Sequence, residues 1–250
     1  MKENTRSRTT RIAEVLQFVS VSYPVFAMSV ILYGVLRLTG RIRIRYPERW
    51  PRGKGRVIIA PNHPSLWEPM LLMLLFPWEG LRHPRTRIPW STPDKGNYDR
   101  WYWALFRQRF IFVPRGKRKG ELKALSAIIQ KLKVGARVIM FGEGGRTARG
   151  ATFCWSQNKA GRVRTLQHGL SRAACDSGAT IVPIWISGAE KVLPVGCGVP
   201  RMWRCVTITI GEPYTVERVS SKDPQRKDRV VAETEKLTTA LLELADEQDE

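Results

Sequence analysis

The amino-acid sequence predicts an α/β fold, with a largely parallel central sheet flanked by helices and with an N-terminal apolar helical hairpin. Short apolar runs bounded by proline or glycine indicate strands, and the amphipathic segments between them indicate helices. A stretch of 22 residues without Asp, Glu, Lys or Arg, Val15–Leu36, predicts the hairpin. At 250 residues the chain can form one large domain with one sizeable core.

The Val15–Leu36 run is long enough to meet a membrane, since as one helix it would extend about 33 Å. Pro24 interrupts the run. Basic residues flank both ends, at Arg6, Arg8 and Arg11 before it and at Arg37, Arg41, Arg43 and Arg45 after it. These flanks favour a re-entrant pair of helices whose ends lie at the same, cytoplasmic, membrane face. A single transmembrane span and a buried core helix are the alternatives.

Strands are predicted at six places, and most of them are apolar enough to be buried. They are Arg41–Tyr46, Val57–Ala60, Phe110–Val113, Ala136–Phe141, Thr180–Ile186 and Val206–Ile210. Charged and apolar residues alternate in the first of these, which predicts a half-exposed strand. The last also alternates and is therefore predicted nearer an edge of the sheet.

Apolar residues at helical spacing predict four helices outside these strands. The predicted helices are Pro64–Phe76, Glu121–Lys133, residues 169–176 and Asp228–Leu244. Residues 77–100 are rich in Pro, Trp, Arg and Gly, and they predict an irregular connection. The aromatic segment Trp101–Phe106 predicts a helix that packs on the core or reaches lipid headgroups.

The chain is strongly basic, with 42 Lys and Arg residues against 22 Asp and Glu residues and a formal net charge of +20. So positive a surface attracts nucleic acid, an anionic membrane face or anionic substrates. The cysteines show no Cys-x-x-Cys and no metal-like spacing with histidine; they are Cys154, Cys175, Cys197 and Cys205. They are therefore predicted to be reduced and mostly structural, and a metal site is disfavoured.

His63 and Glu68 lie where a buried strand turns into a helix. Pro61 ends the strand, and Pro64 suits the first turn of a helix. On one continuous helix the two side chains would point roughly 140° apart, so their contact requires His63 to stand before the helix and fold back over it. A carboxylate on one imidazole nitrogen leaves the other able to take a proton from a hydroxyl. The alternative is a turn histidine beside a solvated glutamate.

A glycine-rich segment, Gly142–Thr147, follows the predicted strand Ala136–Phe141. Its glycines allow backbone amides near Gly144 to approach an oxyanion, and Arg146 offers two parallel hydrogen bonds to a phosphate. Arg115 follows another predicted strand, at the end where α/β sheets bind ligands. Glu143 is expected to hold one of these arginines or an acceptor hydroxyl. The alternative is a glycine-rich turn with solvated charges.

These segments, taken in order, resemble the glycerolipid acyltransferase family typified by 1-acyl-glycerol-3-phosphate acyltransferases. The matching blocks, within roughly residues 40–215, are Asn62-His63-x4-Glu68, Phe110-Ile-Phe-Val-Pro-Arg115, Phe141-Gly-Glu143-Gly144-Gly-Arg146-Thr147, Ile181-Val-Pro183-Ile184 and Ile210-Gly-Glu-Pro213. The chain departs from the family pattern within these blocks. Glu68 stands for the usual Asp, and Gly142 and Gly145 replace Pro and Thr.

The resemblance implies transfer of a fatty acyl group from acyl-CoA or acyl carrier protein, as co-substrate without a cofactor, to the hydroxyl of 1-acyl-glycerol-3-phosphate. It makes His63 and Glu68 the catalytic pair. The implied substrate-binding residues are Asn62, Arg115, Glu143, Gly144 and Arg146. An anionic membrane surface is the expected partner, without nucleic acid.

Other functions remain as alternatives. They are acylation of another lysolipid such as a lyso-aminolipid, and a basic nucleic-acid-binding protein. A phosphate-ester hydrolase is disfavoured because the sequence shows neither a metal-binding carboxylate cluster nor a nucleophile elbow.

The expected organisation has three parts. Residues 1–40 form a membrane-associated helical segment, residues 41–220 the acyltransferase domain, and residues 221–250 an amphipathic helix packed on that domain. Residues 1–38 are expected to be dispensable for the catalytic fold.

Overall fold

A mixed sheet organises the part of the chain that the computed structural model describes, which is residues 23–53, 55–75, 77–83, 87–94, 107, 109–194, 197, 199–220 and 222–248. Within these residues seven strands form one sheet, and two more form a separate hairpin. In chain order the strands are β1 Ile42–Arg45, β2 Val57–Pro61, β3 Trp90–Ser91, β4 Arg137–Ile139, β5 Phe153–Trp155, β6 Arg162–Arg164, β7 Thr180–Ser187, β8 Val206–Ile210 and β9 Tyr214–Thr215.

The sheet has the order β1-β8-β7-β2-β4-β3, with β9 paired beside β8 on β7. β2 lies at its centre and pairs in parallel with β7 and with β4. The largely parallel sheet is thus confirmed. β8 and β9 nevertheless run antiparallel to β7, and β1 follows the direction of β8. β8 lies next to the edge strand but is paired on both sides.

Helices cover both faces of the sheet, which explains why β2 is buried at every position. They are α1 Tyr23–Leu38, α2 Glu68–Met73, α3 Pro77–Arg82, α4 Arg118–Lys133, α5 Gly169–Ser177, α6 Ala189–Val192 and α7 Arg226–Asp246, with 3-10 turns at Pro47–Arg49 and Thr147–Arg149. Alternate residues of β2 serve opposite layers. Ile58 packs in the layer of α4, α5 and α7, whereas Ile59 packs in the layer of α1, α2 and α6.

α1 belongs to the core, which corrects the expectation of a dispensable N-terminal segment. Its side chains Phe26, Tyr33 and Leu36 are buried in the layer that also contains α2. Removing residues 1–38 would therefore open this layer to water. Pro24 lies inside the helix, and the part of the expected hairpin before Tyr23 lies outside the described residues. Within the described residues, no helix combines the length and apolarity needed to cross a bilayer.

Several boundaries differ from those predicted. α2 begins at Glu68 with Pro69 in its first turn, whereas Pro64 lies in the preceding bend. Phe110–Val113 is not a strand, since only Phe110 forms a single parallel bridge, to Ser91. The neighbouring prolines, Pro93 and Pro114, lack the amide donors that a longer ladder needs.

The region predicted to be an irregular connection contains α3 and β3. The aromatic segment Trp101–Phe106 lies outside the described residues. The predicted helices α4, α5 and α7 are confirmed, although α4 begins three residues earlier, at Arg118.

The β5–β6 hairpin is attached to the end of α7. Asp246 accepts hydrogen bonds from the backbone amides of Gln157 (3.0 Å) and Asn158 (3.2 Å) at the hairpin turn. Gly161 packs so closely on Trp185 and Ala245 that a larger residue would not fit there. The hairpin therefore has a fixed position relative to the sheet, and this matters because β6 leads directly into the candidate site.

Candidate active site

His63 lies just beyond the carboxyl end of β2, and the glycine-rich segment holds its backbone from both sides. Its amide donates to Glu143 Oε1 (2.7 Å), and its carbonyl accepts the amide of Thr147 (2.9 Å). Its ring stacks on Phe141, with centroids 4.0 Å apart. The residue is only 7% exposed, so these contacts fix the imidazole in a largely dry setting.

The side chain of Glu68 reaches back to His63, as the sequence predicts. Glu68 Oε2 lies 3.5 Å from His63 Nδ1, slightly beyond hydrogen-bond length. Both atoms are buried, and neither has another hydrogen-bond partner within the described part of the chain. The other carboxylate oxygen, Oε1, accepts the amide of Ser65 in the bend before α2. That bend, rather than a helical first turn at Pro64, turns the imidazole back toward the carboxylate.

Glu143 is the hub of the site. Its side chain is 1% exposed. Oε1 accepts the His63 amide and the Thr147 hydroxyl (2.9 Å), and Oε2 accepts the amide of Arg164 (2.9 Å). Burial raises the pKa of the Glu143 carboxyl, although the hydrogen bonds to Arg164, Thr147 and His63 favour its ionised form. The sequence predicts that Glu143 holds an arginine side chain or an acceptor, whereas the contacts found join three backbone segments.

Asn62 connects β2 to its neighbour. Its side-chain amide donates to the carbonyl of Ile186 (3.0 Å), and its side-chain oxygen accepts the Ile186 amide (2.7 Å). The side chain is buried and supports the backbone from which His63 projects. Its predicted contact with substrate stays a prediction.

Two cavities lie next to each other near the glycine-rich segment, and His63 lines the smaller one. The smaller, about 40 Å³, is lined by His63 together with Leu66, Pro69, Ser91, Asp94 and Phe110. The larger is a groove of about 610 Å³ between α4, α5 and the glycine-rich segment. Thr92, Arg115 and Phe141 line both, so the groove adjoins the small cavity that contains the imidazole.

The groove has an apolar wall and a cationic rim. Its apolar wall contains Val113, Leu122, Leu125, Ile128, Met140 and Leu170. Its cationic side chains are Arg115, Arg118, Arg164 and Arg172. Such a surface suits a molecule that joins a hydrocarbon chain to an anionic group.

Gly144 stands at the mouth of this groove with a backbone φ of 65°, a left-handed conformation that glycine adopts without strain. Arg115 lines the groove beside it. Arg146 lies at the end of the same segment, before the 3-10 turn, and lines neither of the two cavities.

A sequence profile of the family described as Acyltransferase matches residues 41–187, which is more than half of the chain. The chain belongs to the acyltransferase family. The matched residues contain His63, Glu68 and the glycine-rich segment.

One curated relative is a chloroplastic 1-acyl-sn-glycerol-3-phosphate acyltransferase of Arabidopsis thaliana. It is 28% identical over 94 residues, which cover 38% of this chain and 23% of that relative. The aligned part therefore spans less than a quarter of the relative's length.

The fold resembles the crystal structure of the 1-acyl-sn-glycerophosphate acyltransferase of Thermotoga maritima. The TM-score is 0.51 at 21% identity, and the match covers 82% of this chain and 72% of that one. Within the described residues, no cluster of His, Cys, Asp and Glu side chains could hold a metal ion.

Sequence reasoning missed the segment between β6 and α5. It runs alongside the glycine-rich segment, since Gln167 donates its amide to the carbonyl of Gly142 (2.7 Å) and Arg164 donates its own to Glu143. His168 lines the groove of the acyltransferase, and its Nδ1 lies 3.1 Å from Thr234 Oγ1 on α7. No motif marks these residues, because their partners lie far away in the sequence.

Proposed function

We propose that this chain transfers a fatty acyl group from an acyl thioester, either acyl-CoA or acyl carrier protein, to the free hydroxyl of 1-acyl-glycerol-3-phosphate. The observation that carries the proposal is the His63–Glu68 pair beside a small cavity, which shares three lining residues with a groove that is apolar on one side and cationic on the other. Family membership supports acyl transfer as the reaction class. No cofactor is needed.

His63 acts as the general base. The carboxylate of Glu68 orients the ring through Nδ1, so the opposite nitrogen takes the proton from the acceptor hydroxyl. The hydroxyl oxygen attacks the thioester carbonyl, the new C–O ester bond forms and the C–S bond breaks. The proton on His63 passes to the departing sulfur, which leaves as a thiol. The transfer is direct and forms no acyl-enzyme intermediate.

In this proposal Arg115 and the backbone amides flanking Gly144 hold the acceptor's phosphate, whereas Arg146, also predicted as a ligand, lines neither cavity. Three features support this assignment: the left-handed turn at Gly144, the position of Arg115 in both cavities, and the apolar wall that accommodates the acceptor's chain. Guanidinium groups bind phosphate through paired, charge-assisted hydrogen bonds.

Purified protein supplied with radiolabelled acyl-CoA and a panel of lysolipids tests this function. We expect acylation of 1-acyl-glycerol-3-phosphate with release of one thiol per ester formed. A lyso-aminolipid lacks the phosphate and is expected to react far more slowly. Preference for the lyso-aminolipid would overturn the acceptor assignment, and acylation of neither would overturn the function. Replacing acyl-CoA with acyl carrier protein identifies the donor.

We also propose that α1 holds the protein on the cytoplasmic face of an anionic membrane. Its outward face is apolar, with Met28 71% and Leu38 90% exposed. The other exposed apolar residues of this face are Ile31, Leu32 and Val35. Insertion of such a face into a bilayer, added to attraction between basic residues and anionic lipid, gives the two signals that stable anchoring needs.

The surroundings of α1 support the same orientation. Arg37 and Arg43 are exposed near its end. Arg41 donates to the carbonyl of Trp203 (2.7 Å), and Arg45 donates to that of Glu247 (2.7 Å). Trp203 is itself 63% exposed, and tryptophan is favoured at membrane interfaces.

The combined substitution Met28→Gln, Ile31→Gln and Val35→Gln tests this anchor. Fully burying an aliphatic side chain is worth about 1.5–3 kcal/mol, so even partial insertion of three predicts at least a roughly 10-fold loss of binding to anionic vesicles. The core face of α1 is untouched, so the thermal unfolding midpoint should change little. Val134→Gln with Val231→Gln, two exposed positions elsewhere, is the control. Complete release of the unmodified protein by high salt alone would refute insertion.

A further inference from the structure

Resting on the proposed function, we propose that Arg164 is a specificity-determining residue, which together with Arg115 binds the phosphate of the acceptor. Arg164 is the last residue of β6, outside the glycine-rich segment, and the sequence gives no motif for it. It lines the groove that also contains Gly144 and Arg115.

The two guanidinium groups converge on one glycine. A Cβ atom placed on Gly145 would lie 2.6 Å from Arg164 Nη1 and 3.6 Å from Arg115 Nη1. Burial lowers the pKa of the Arg115 guanidinium, Asp94 opposes this effect, and the positive charge of Arg164 lowers the pKa further. Two cations this close repel each other, and an anion between them relieves the repulsion.

The side chain of Arg164 lies across Gly150, which fixes its direction. A Cβ atom on Gly150 would come within 2.5–2.8 Å of Arg164 Cγ, Cδ and Nε. Gly150 has an ordinary extended backbone, with φ −79° and ψ 155°, so the space it leaves rather than its conformation explains the glycine. The absence of a side chain there allows the arginine to reach the groove.

The backbone of Arg164 is fixed as well. Its amide donates to Glu143 Oε2, the carboxylate that also holds the His63 amide. β6 pairs with β5 through Arg164 and Phe153, and Asp246 of α7 anchors the turn of this hairpin. The guanidinium therefore keeps a set position relative to the imidazole. A rigidly held cation discriminates between acceptors with and without an anionic group.

Phosphate is the anion that fits this arrangement best. Two forked guanidinium groups together offer more donors than one carboxylate accepts. The apolar residues of α4 form the adjoining wall, which matches the chain that an acceptor carries beside its phosphate.

Arg164→Ala tests the proposal through steady-state kinetics with 1-acyl-glycerol-3-phosphate and acyl-CoA varied separately. We expect the acceptor KM to rise about 10- to 100-fold, the loss typical of a charge-assisted hydrogen bond, while kcat changes less than about threefold. The KM for acyl-CoA should not change, and the retained kcat shows that the fold is intact. Arg164→Lys should recover only part of the affinity, because lysine offers no fork. Arg149→Ala, an exposed position nearby, is the control.

Gly150→Ala keeps the Arg164 guanidinium but displaces it, because the added Cβ takes the space of the arginine side chain. This variant should therefore raise the acceptor KM as Arg164→Ala does. An unchanged acceptor KM in Arg164→Ala would overturn the proposal, as would a rise confined to acyl-CoA. Equilibrium binding of inorganic phosphate separates this inference from the proposed function. If the unmodified protein acylates no phosphate-bearing lysolipid but Arg164→Ala still weakens phosphate binding, the function fails and the anion site stands. Equal phosphate binding by both proteins would refute the site.

Discussion

Replacing His63 by alanine is expected to lower kcat by about 10²- to 10⁴-fold, the contribution typical of a general base. The imidazole is the group at which the small cavity, the carboxylate of Glu68 and the glycine-rich segment meet. Without it the acceptor hydroxyl must attack the thioester without prior loss of its proton. Single-turnover assays with saturating substrates measure the chemical step directly.

His83→Ala provides the matched control for this change. His83 is exposed, follows α3 and lines neither cavity, so its removal should leave kcat unchanged. Binding of 1-acyl-glycerol-3-phosphate should also survive in His63→Ala, since the proposed phosphate ligands are intact. Near-normal turnover by His63→Ala would end the proposed mechanism.

Glu68→Gln is expected to lower kcat nearly as far as His63→Ala. The carboxylate is fully buried, its Oε1 accepts the Ser65 amide, and Oε2 faces His63 Nδ1. An amide in its place cannot stabilise the imidazolium ion that forms as the hydroxyl loses its proton. Loss of the orienting carboxylate in the related serine-protease triad costs about 10⁴-fold in kcat, which sets the scale.

Glu68→Asp separates charge from reach. Aspartate keeps the negative charge but is one methylene shorter, and the distance to Nδ1 is already 3.5 Å. We therefore expect partial activity, clearly above that of Glu68→Gln. Glu190→Gln, an exposed site on α6, is the control for loss of a carboxylate. If Glu68→Gln retained most of the activity, His63 would act without Glu68.

Local sequence patterns predicted the parts of the site that lie close together in the chain. The buried run at Val57–Ala60 and the spacing of His63 and Glu68 predicted a strand, a turn and a returning side chain, and these are found. Because proline suits the first turn of a helix, the sequence predicts a helix start at Pro64, but Pro69 occupies that place. Two nearby prolines satisfied the same rule, and only tertiary contacts decide between them.

Contacts between distant segments could not be predicted in this way. Glu143 bonds the His63 amide, 80 residues earlier, and the Arg164 amide, 21 residues later. From the sequence alone, a carboxylate in a glycine-rich loop is predicted to be solvated. The sequence shows that it can accept hydrogen bonds but does not show which donors it will meet. Arg164 is one of 42 basic residues, and nothing local distinguishes it. Its position in the groove depends on the space left by Gly150, which only the folded structure shows.

The N-terminal region shows that composition does not distinguish a membrane segment from a core helix. An uncharged run such as Val15–Leu36 is equally suited to lipid and to a protein core, because both reward apolar surface. In α1 one face, with Phe26, Tyr33 and Leu36, is buried, and the opposite face, with Ile31 and Leu38, is exposed. Composition alone could not reveal this division.

β1 pairs in parallel with β8, whose first residue, Val206, follows Arg45 by about 160 positions. At roughly 5–20 residues per second, a ribosome needs about 8–30 seconds to make that interval. Until then β1 cannot join the sheet, and α1, which precedes β1, cannot complete its packing in the core. We therefore expect all apolar side chains of the nascent helix to be accessible to a nearby bilayer at first. One face of the helix is buried in the core only later. With the membrane role proposed for α1, delivery to the bilayer would then begin during translation, before the fold is complete.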